Sequence, residues 1–117
     1  MPLQYIPKPI KAEATDVTGA RALSITYTNN TLRPRLIIVA TRHRANAGVG
    51  NSCLAQAVQM TPALVGMGQA GIWNTTGNED EGFTQAFIIP AGGTYRVNTA
   101  ITGPTTITVT YWIEVNL

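Results

Sequence analysis

The segment Ile107-Thr-Val-Thr-Tyr-Trp-Ile-Glu-Val115 alternates between two sets of side chains, and no other stretch limits the possible folds as strongly. A period of two places Ile107, Val109, Tyr111, Ile113 and Val115 on one face and Thr108, Thr110, Trp112 and Glu114 on the other, which is a half-buried strand rather than a helix. Trp112 then lies on the polar face and needs a partner. Just upstream, Phe83 to Val97 reads as strand, turn, strand. Pro90 cannot donate to a ladder, and Gly92 and Gly93 tolerate positive φ, so the middle of this run encodes a tight reversal.

Similar signals recur through the chain. Ala22-Leu-Ser-Ile-Thr-Tyr-Thr28 alternates apolar and hydroxyl residues and reads as the first strong strand. Asn29 to Pro34 is a turn, and Arg35 to Thr41 returns as a continuous apolar strand, pairing with the previous one as a hairpin. Ser52 to Met60 accommodates helix or strand; the small-residue set Cys53, Ala55, Ala57 against Leu54, Gln56, Val58, Met60 favours strand. Thr61 to Gly82, rich in glycine, reads as a long irregular loop with a short strand at Ala70 to Asn74, and a loop of that length is functional or packed in an interface. No convincing long helix is present. About seven or eight short strands joined by Gly, Pro and Asn turns predict an all-β fold, an antiparallel β-sandwich of jelly-roll type. Residues 1–19, with Pro2, Pro7 and Pro9, are expected to be an extended arm, and residues 20–117 the sandwich.

At 117 residues the chain holds one domain, and only 12% of it is charged, against about 25% in an ordinary domain. Obligate interfaces are depleted in charge, so the composition points to a homo-oligomer or a particle component. The net charge of +2 comes from eight scattered basic residues against six acids. No nucleic-acid footprint results. Arg33, Arg35, Arg42 and Arg44 flank the apolar run Leu36 to Ala40 and read as solvated strand ends, with a polyanion site such as one for an acidic glycan as the lesser reading. Neither a secretory h-region nor a stretch approaching eighteen apolar residues is visible, so no membrane insertion is expected and synthesis is placed in a cytoplasm. The sequons at Asn29 and Asn74 then reduce to turn chemistry.

Reactive groups are sparse. Gly66-Met-Gly-Gln-Ala-Gly71 matches the dinucleotide fingerprint by letter, but Ile72-Trp-Asn follows where a helix must open, so no cofactor is expected. Glu79-Asp-Glu81 reads as a solvated acidic turn, because adjacent residues point in different directions and do not make a calcium cage. His43, the single histidine, sits between Arg42 and Arg44, which disfavour an imidazolium. A pair with the single cysteine, Cys53, is the only nucleophilic arrangement to weigh, and one histidine with one cysteine makes a poor metal site. No catalytic or metal residue is therefore assigned, and the chain is not expected to be an enzyme. The most site-like cluster is Trp73 with Asn74, Gln69 and Asn78, where an aromatic ring in a glycine-rich stretch can stack on a sugar beside amide hydrogen-bonding groups. In the arm, Tyr5, Ile6 and Pro7 are the candidate assembly contacts.

Together these motifs resemble the small β-sandwich head domains at the C-terminal tips of bacteriophage tail fibres. The resemblance is carried by Tyr27-Thr-Asn-Asn-Thr-Leu-Arg-Pro34, the apolar strand Leu36 to Val39, Pro90-Ala-Gly-Gly-Thr-Tyr-Arg96 and Trp112-Ile-Glu114, and it covers roughly residues 20 to 117. It implies a non-catalytic virion structural protein, made in the host cytoplasm, assembled as a trimer with other virion proteins, and contacting a host-surface glycan or protein. In that family the head follows a shaft, whereas here only a short arm precedes the sandwich. Attachment to the particle is then expected through that arm or the sandwich faces, and a capsid or tail decoration protein that cements neighbouring subunits is the alternative role.

Overall fold

Extended segments with β-branched and aromatic side chains dominate the computed structural model, which describes residues 13–46, 51–75 and 77–117. Among the described residues eight strands follow one another: β1 Glu13–Asp16, β2 Tyr27–Thr28, β3 Arg35–Ala45, β4 Asn51–Thr61, β5 Val65–Thr75, β6 Glu79–Ile89, β7 Thr94–Thr102 and β8 Thr105–Asn116. One 3-10 turn, Thr18–Ala20, lies between β1 and β2. Among the described residues no helix is long and apolar enough to cross a membrane. The arm residues Tyr5, Ile6 and Pro7 lie outside the described residues, whereas residues 13–16, in the stretch read as arm, form β1 and pair with β8.

The strands make two four-stranded antiparallel sheets with orders β1-β8-β3-β6 and β2-β7-β4-β5. The first sheet holds β1, β8, β3 and β6, and the second holds β2, β7, β4 and β5. Only β4 and β5 are sequence neighbours within one sheet; every other connection passes from one sheet to the other. That double Greek-key winding is the jelly roll expected from the sequence.

Crossing between sheets corrects several local expectations. Ala22 to Thr28 is not a strand along its length: Ser24 adopts φ +62° and donates its N–H to Val97, the Ala22 N–H bonds the Tyr27 hydroxyl at 2.7 Å, and only Tyr27–Thr28 joins a ladder. Its partner is β7, not β3, so the expected hairpin does not form. The Pro90–Gly93 turn forms as read, with the Gly93 N–H on the Pro90 carbonyl at 3.0 Å and Gly92 at φ +73°, the geometry a type II turn requires. It joins β6 of the first sheet to β7 of the second, so it is a bridge between layers. The long loop expected at 61–82 is mostly strand, belonging to β5 and the start of β6. Glycines weaken a strand's sequence signal without preventing it from pairing along one edge with β4.

The clean alternation of the last strand is also interrupted. Ala40 pairs with Tyr111 but Thr41 with Val109, leaving Thr110 as the extra residue of a bulge. One inserted residue exchanges the two faces beyond it. Val109 therefore packs against the core from one side of the bulge, while Trp112 and Glu114 face inward on the other, and Tyr111, Ile113 and Val115 turn outward. Trp112 is fully buried with Ile37, Val39, Phe87, Ile89, Tyr95 and Val97. Across from these large side chains, β4 contributes Ala55 and Ala57, whose small volume leaves room for the rings.

Candidate functional site

Trp73 and Gln69 lie on β5, which among the described residues is an edge strand paired with β4. Ile72 between them is buried, and strand alternation puts Gln69 and Trp73 on the outward side of the second sheet. Trp73 is 55% exposed. Four residues of strand separate it from Gln69 by about 13 Å, so the two share a face without touching. Asn78 sits in the connection to β6 and is exposed. The side chain of Asn74 lies outside the described residues.

Register adds two residues that the sequence reading passed over. Gln56 is directly opposite Gln69 on β5 and Asn98 on β7, so three amide side chains line up across three adjacent strands. Beside this row Val58 is paired with Gly66, and an open groove of about 340 Å³ is lined by Gln56, Val58, Gly66, Gly68 and Gln69. At the other side Leu54 is paired with Gly71 and Ala100. Arg96 is the one charged residue on this face among the described residues, and its Nε and Nη2 donate to the Thr26 hydroxyl at 3.0 and 2.8 Å. The available signal for Gln56 was its place in the Leu54, Gln56, Val58 set; Asn98 carried none without the pairing.

The outward side of the first sheet is different in kind. Leu36 is flanked by Ile88 and Val115, Ile38 by Ala86 and Ile113, and Ala40 by Thr84 and Tyr111, with Ala14 extending the rows beyond Val115. Ile88 is 50% exposed. Strand spacings give this aliphatic field an area on the order of 300 Å², near the size at which exposed patches on monomers are usually functional. At its end Asp80 receives Arg42 at 2.7 Å and Arg44 at 3.3 Å. The acidic run is thus the start of β6 rather than a turn, and among the described residues no group of three or more metal-ligating side chains gathers.

Between the sheets the ionisable groups are committed to one another. His43 is fully buried on β3; its Nδ1 lies 3.0 Å from the Cys53 carbonyl, which only accepts, so Nδ1 carries the proton and Nε2 accepts from the Thr41 hydroxyl at 2.7 Å. Burial holds its pKa below the ordinary histidine value. The structure does bring His43 to Cys53, but through a backbone carbonyl. Burial also raises the pKa of the Cys53 thiol, which is wholly enclosed. Neither group meets the surface.

At the other end of the core, Glu114 is 5% exposed and accepts from Arg21 at 2.8 Å, Arg35 at 2.7 Å and the Tyr95 hydroxyl at 2.8 Å. The Trp112 indole N–H donates to the same hydroxyl at 3.3 Å, which supplies the partner its position demanded. Desolvation and the neighbouring carboxylate push the Tyr95 pKa up, so this phenol stays protonated. Tyr27 adds its ring edge-on to Trp112, with centroids 5.9 Å apart. Buried Asn29 donates to the carbonyls of Arg33, Ile89 and Pro90 and accepts from Thr31. Tyr27, Tyr95, Trp112 and Glu114 thus pack and bond to one another between the sheets, while Asn29 ties the turn before β3 to the end of β6. No family model matches the chain, and no curated protein sequence does.

Proposed function

We propose that this chain is a non-catalytic structural protein of a bacteriophage virion, a self-assembling jelly-roll head that resembles a tail-fibre tip and contacts the host surface. The observation that carries the reading is the aliphatic outer side of the first sheet. In a strand exposed on one side, outward positions are polar; here Leu36, Ile38, Ile88, Ile113 and Val115 point away from the core. Such a field forms the dry centre of an interface that needs about 800 Å² per partner, completed by a polar rim. Three copies inclined around a three-fold axis would bury it against two neighbours at once. The opposite sheet, with its exposed Trp73, then faces outward for host contact. A sheet with apolar residues on both sides also agrees with the low charge of the sequence.

Light scattering of the purified protein tests the assembly. A mass of three chains is expected, falling to one chain when Ile38→Asp and Ile113→Asp are combined; a wild-type monomer would overturn it. Host-cell binding by the assembled protein tests the attachment role, and Trp73→Ala should weaken it while leaving the fold intact. The same apolar field also supports the alternative of a decoration protein seated on a neighbouring virion subunit. For that role, deleting residues 1–9 should abolish particle binding and host cells should not be bound.

A further inference from the structure

We propose that the outward side of the second sheet binds a neutral oligosaccharide, seated across the amides of Asn98, Gln56 and Gln69 and reaching Trp73. This inference rests on the host-contact reading above and gives that contact a ligand class and a location.

The amide row comes first. Each of the three side chains offers one carbonyl acceptor and one NH₂ donor, the combination that meets adjacent sugar hydroxyls, which donate and accept in turn. Neighbouring strands set the three about 4.8 Å apart, in line across the sheet. No side-chain hydrogen bond joins any of them to another described residue. Their hydrogen-bonding capacity is thus directed outward.

Shape and charge narrow the occupant. Gly66 and Gly71 present no side chain at the register positions beside Val58 and Leu54, and the open groove of about 340 Å³ runs against Gln56 and Gln69. Arg96 is the face's one charge among the described residues, and Thr26 already holds its guanidinium. A polyanion would find almost nothing to neutralise it, whereas an uncharged polyol loses nothing by that scarcity. A greasy partner fits poorly as well, because burying three amides without partners costs about 1–3 kcal/mol each. Trp73, exposed on the same side, supplies an apolar ring for the C–H face of a sugar. Its separation of about 13 Å from Gln69 calls for more than one sugar unit.

The test is a glycan array carrying neutral and acidic bacterial oligosaccharides, followed by fluorescence titration of the best binders, with host-cell binding measured in parallel. Wild type is expected to bind neutral oligosaccharides in preference to acidic ones. Gln56→Ala, Gln69→Ala and Trp73→Ala should each weaken that binding about tenfold or more, with melting temperature and assembled mass unchanged. Gln69→Glu, on the exposed edge strand, repeats the test with side-chain volume preserved. Binding of neutral glycans that survives these substitutions would overturn the site and leave the host-contact reading standing. Host-cell binding without any glycan binding would also overturn it, in favour of a protein receptor. Absence of both would overturn the inference together with the reading it rests on. Amide variants that change the mass of the assembly would show the face to be a contact between copies, and would overturn the glycan assignment.

Discussion

The outward sides of the two sheets share one backbone plan and differ in what they present. On the first, Leu36, Ile38, Ile88, Ile113 and Val115 make an aliphatic field; on the second, Asn98, Gln56 and Gln69 make a row of amides beside glycines. Water penalises exposure of the former and tolerates the latter. The proposed assembly through the first sheet and the proposed ligand contact on the second both rest on this contrast. Strand pairing does not account for the difference, since both sheets are antiparallel and four-stranded; it lies in the side chains.

Perturbations inside the sandwich should strike both sides together, and Glu114→Ala is the strongest of these. It leaves Arg21, Arg35 and the Tyr95 hydroxyl facing a void, and breaking such a buried cluster costs about 3–5 kcal/mol. Chemical denaturation should show that loss, and both assembly and host contact should fail with it. Next in size is Gly71→Ala. Its Cβ would run into the Cys53 carbonyl and lie 2.8 Å from Leu54 Cα, backbone atoms that cannot yield cheaply, so a loss on the order of 2 kcal/mol is expected. Distortion there is confined to the second sheet, and assembly through the first should survive at temperatures where the variant is folded.

A pH change sharpens the comparison from within. The folded state holds His43 neutral with a lowered pKa, so the unfolded chain takes up a proton first as pH falls below about 6.5. Stability should be flat with respect to this group above that value and decline beneath it. Replacement by His43→Gln should flatten the difference in melting temperature between pH 7 and pH 5; an unchanged slope would remove His43 as its source. The smallest structural effect is expected at Trp73, where Trp73→Ala should change stability by less than about 0.5 kcal/mol because the ring is mostly in solvent. A large loss would place the ring in an interface instead.

Composition and periodicity were enough to reach the jelly-roll class, the strand nature of β4 and the turn at Pro90–Gly93. Each follows from local physics: alternation, β-branched side chains, and a proline and glycines that fix dihedral angles. Trp112 could be recognised as misplaced, because an indole on a polar face contradicts its own burial preference. The exposed position of Trp73 was legible too, as was a short strand at Ala70 to Asn74, though not the full length of β5.

Pairing partners and faces were decided only in three dimensions. The crossing of nearly every connection between sheets is invisible to a local pattern, so β2 and β3, neighbours in sequence, end in different layers. The Thr110 bulge exchanges inward and outward positions through one unpaired residue, which no alternation count reveals. The amide row exists only once Gln56 lies between Gln69 and Asn98, forty-two residues from the latter in the chain. Sequence sets what each residue prefers over a few neighbours, whereas cross-strand register is a long-range choice made when the whole core closes around Trp112, Tyr95 and Phe87.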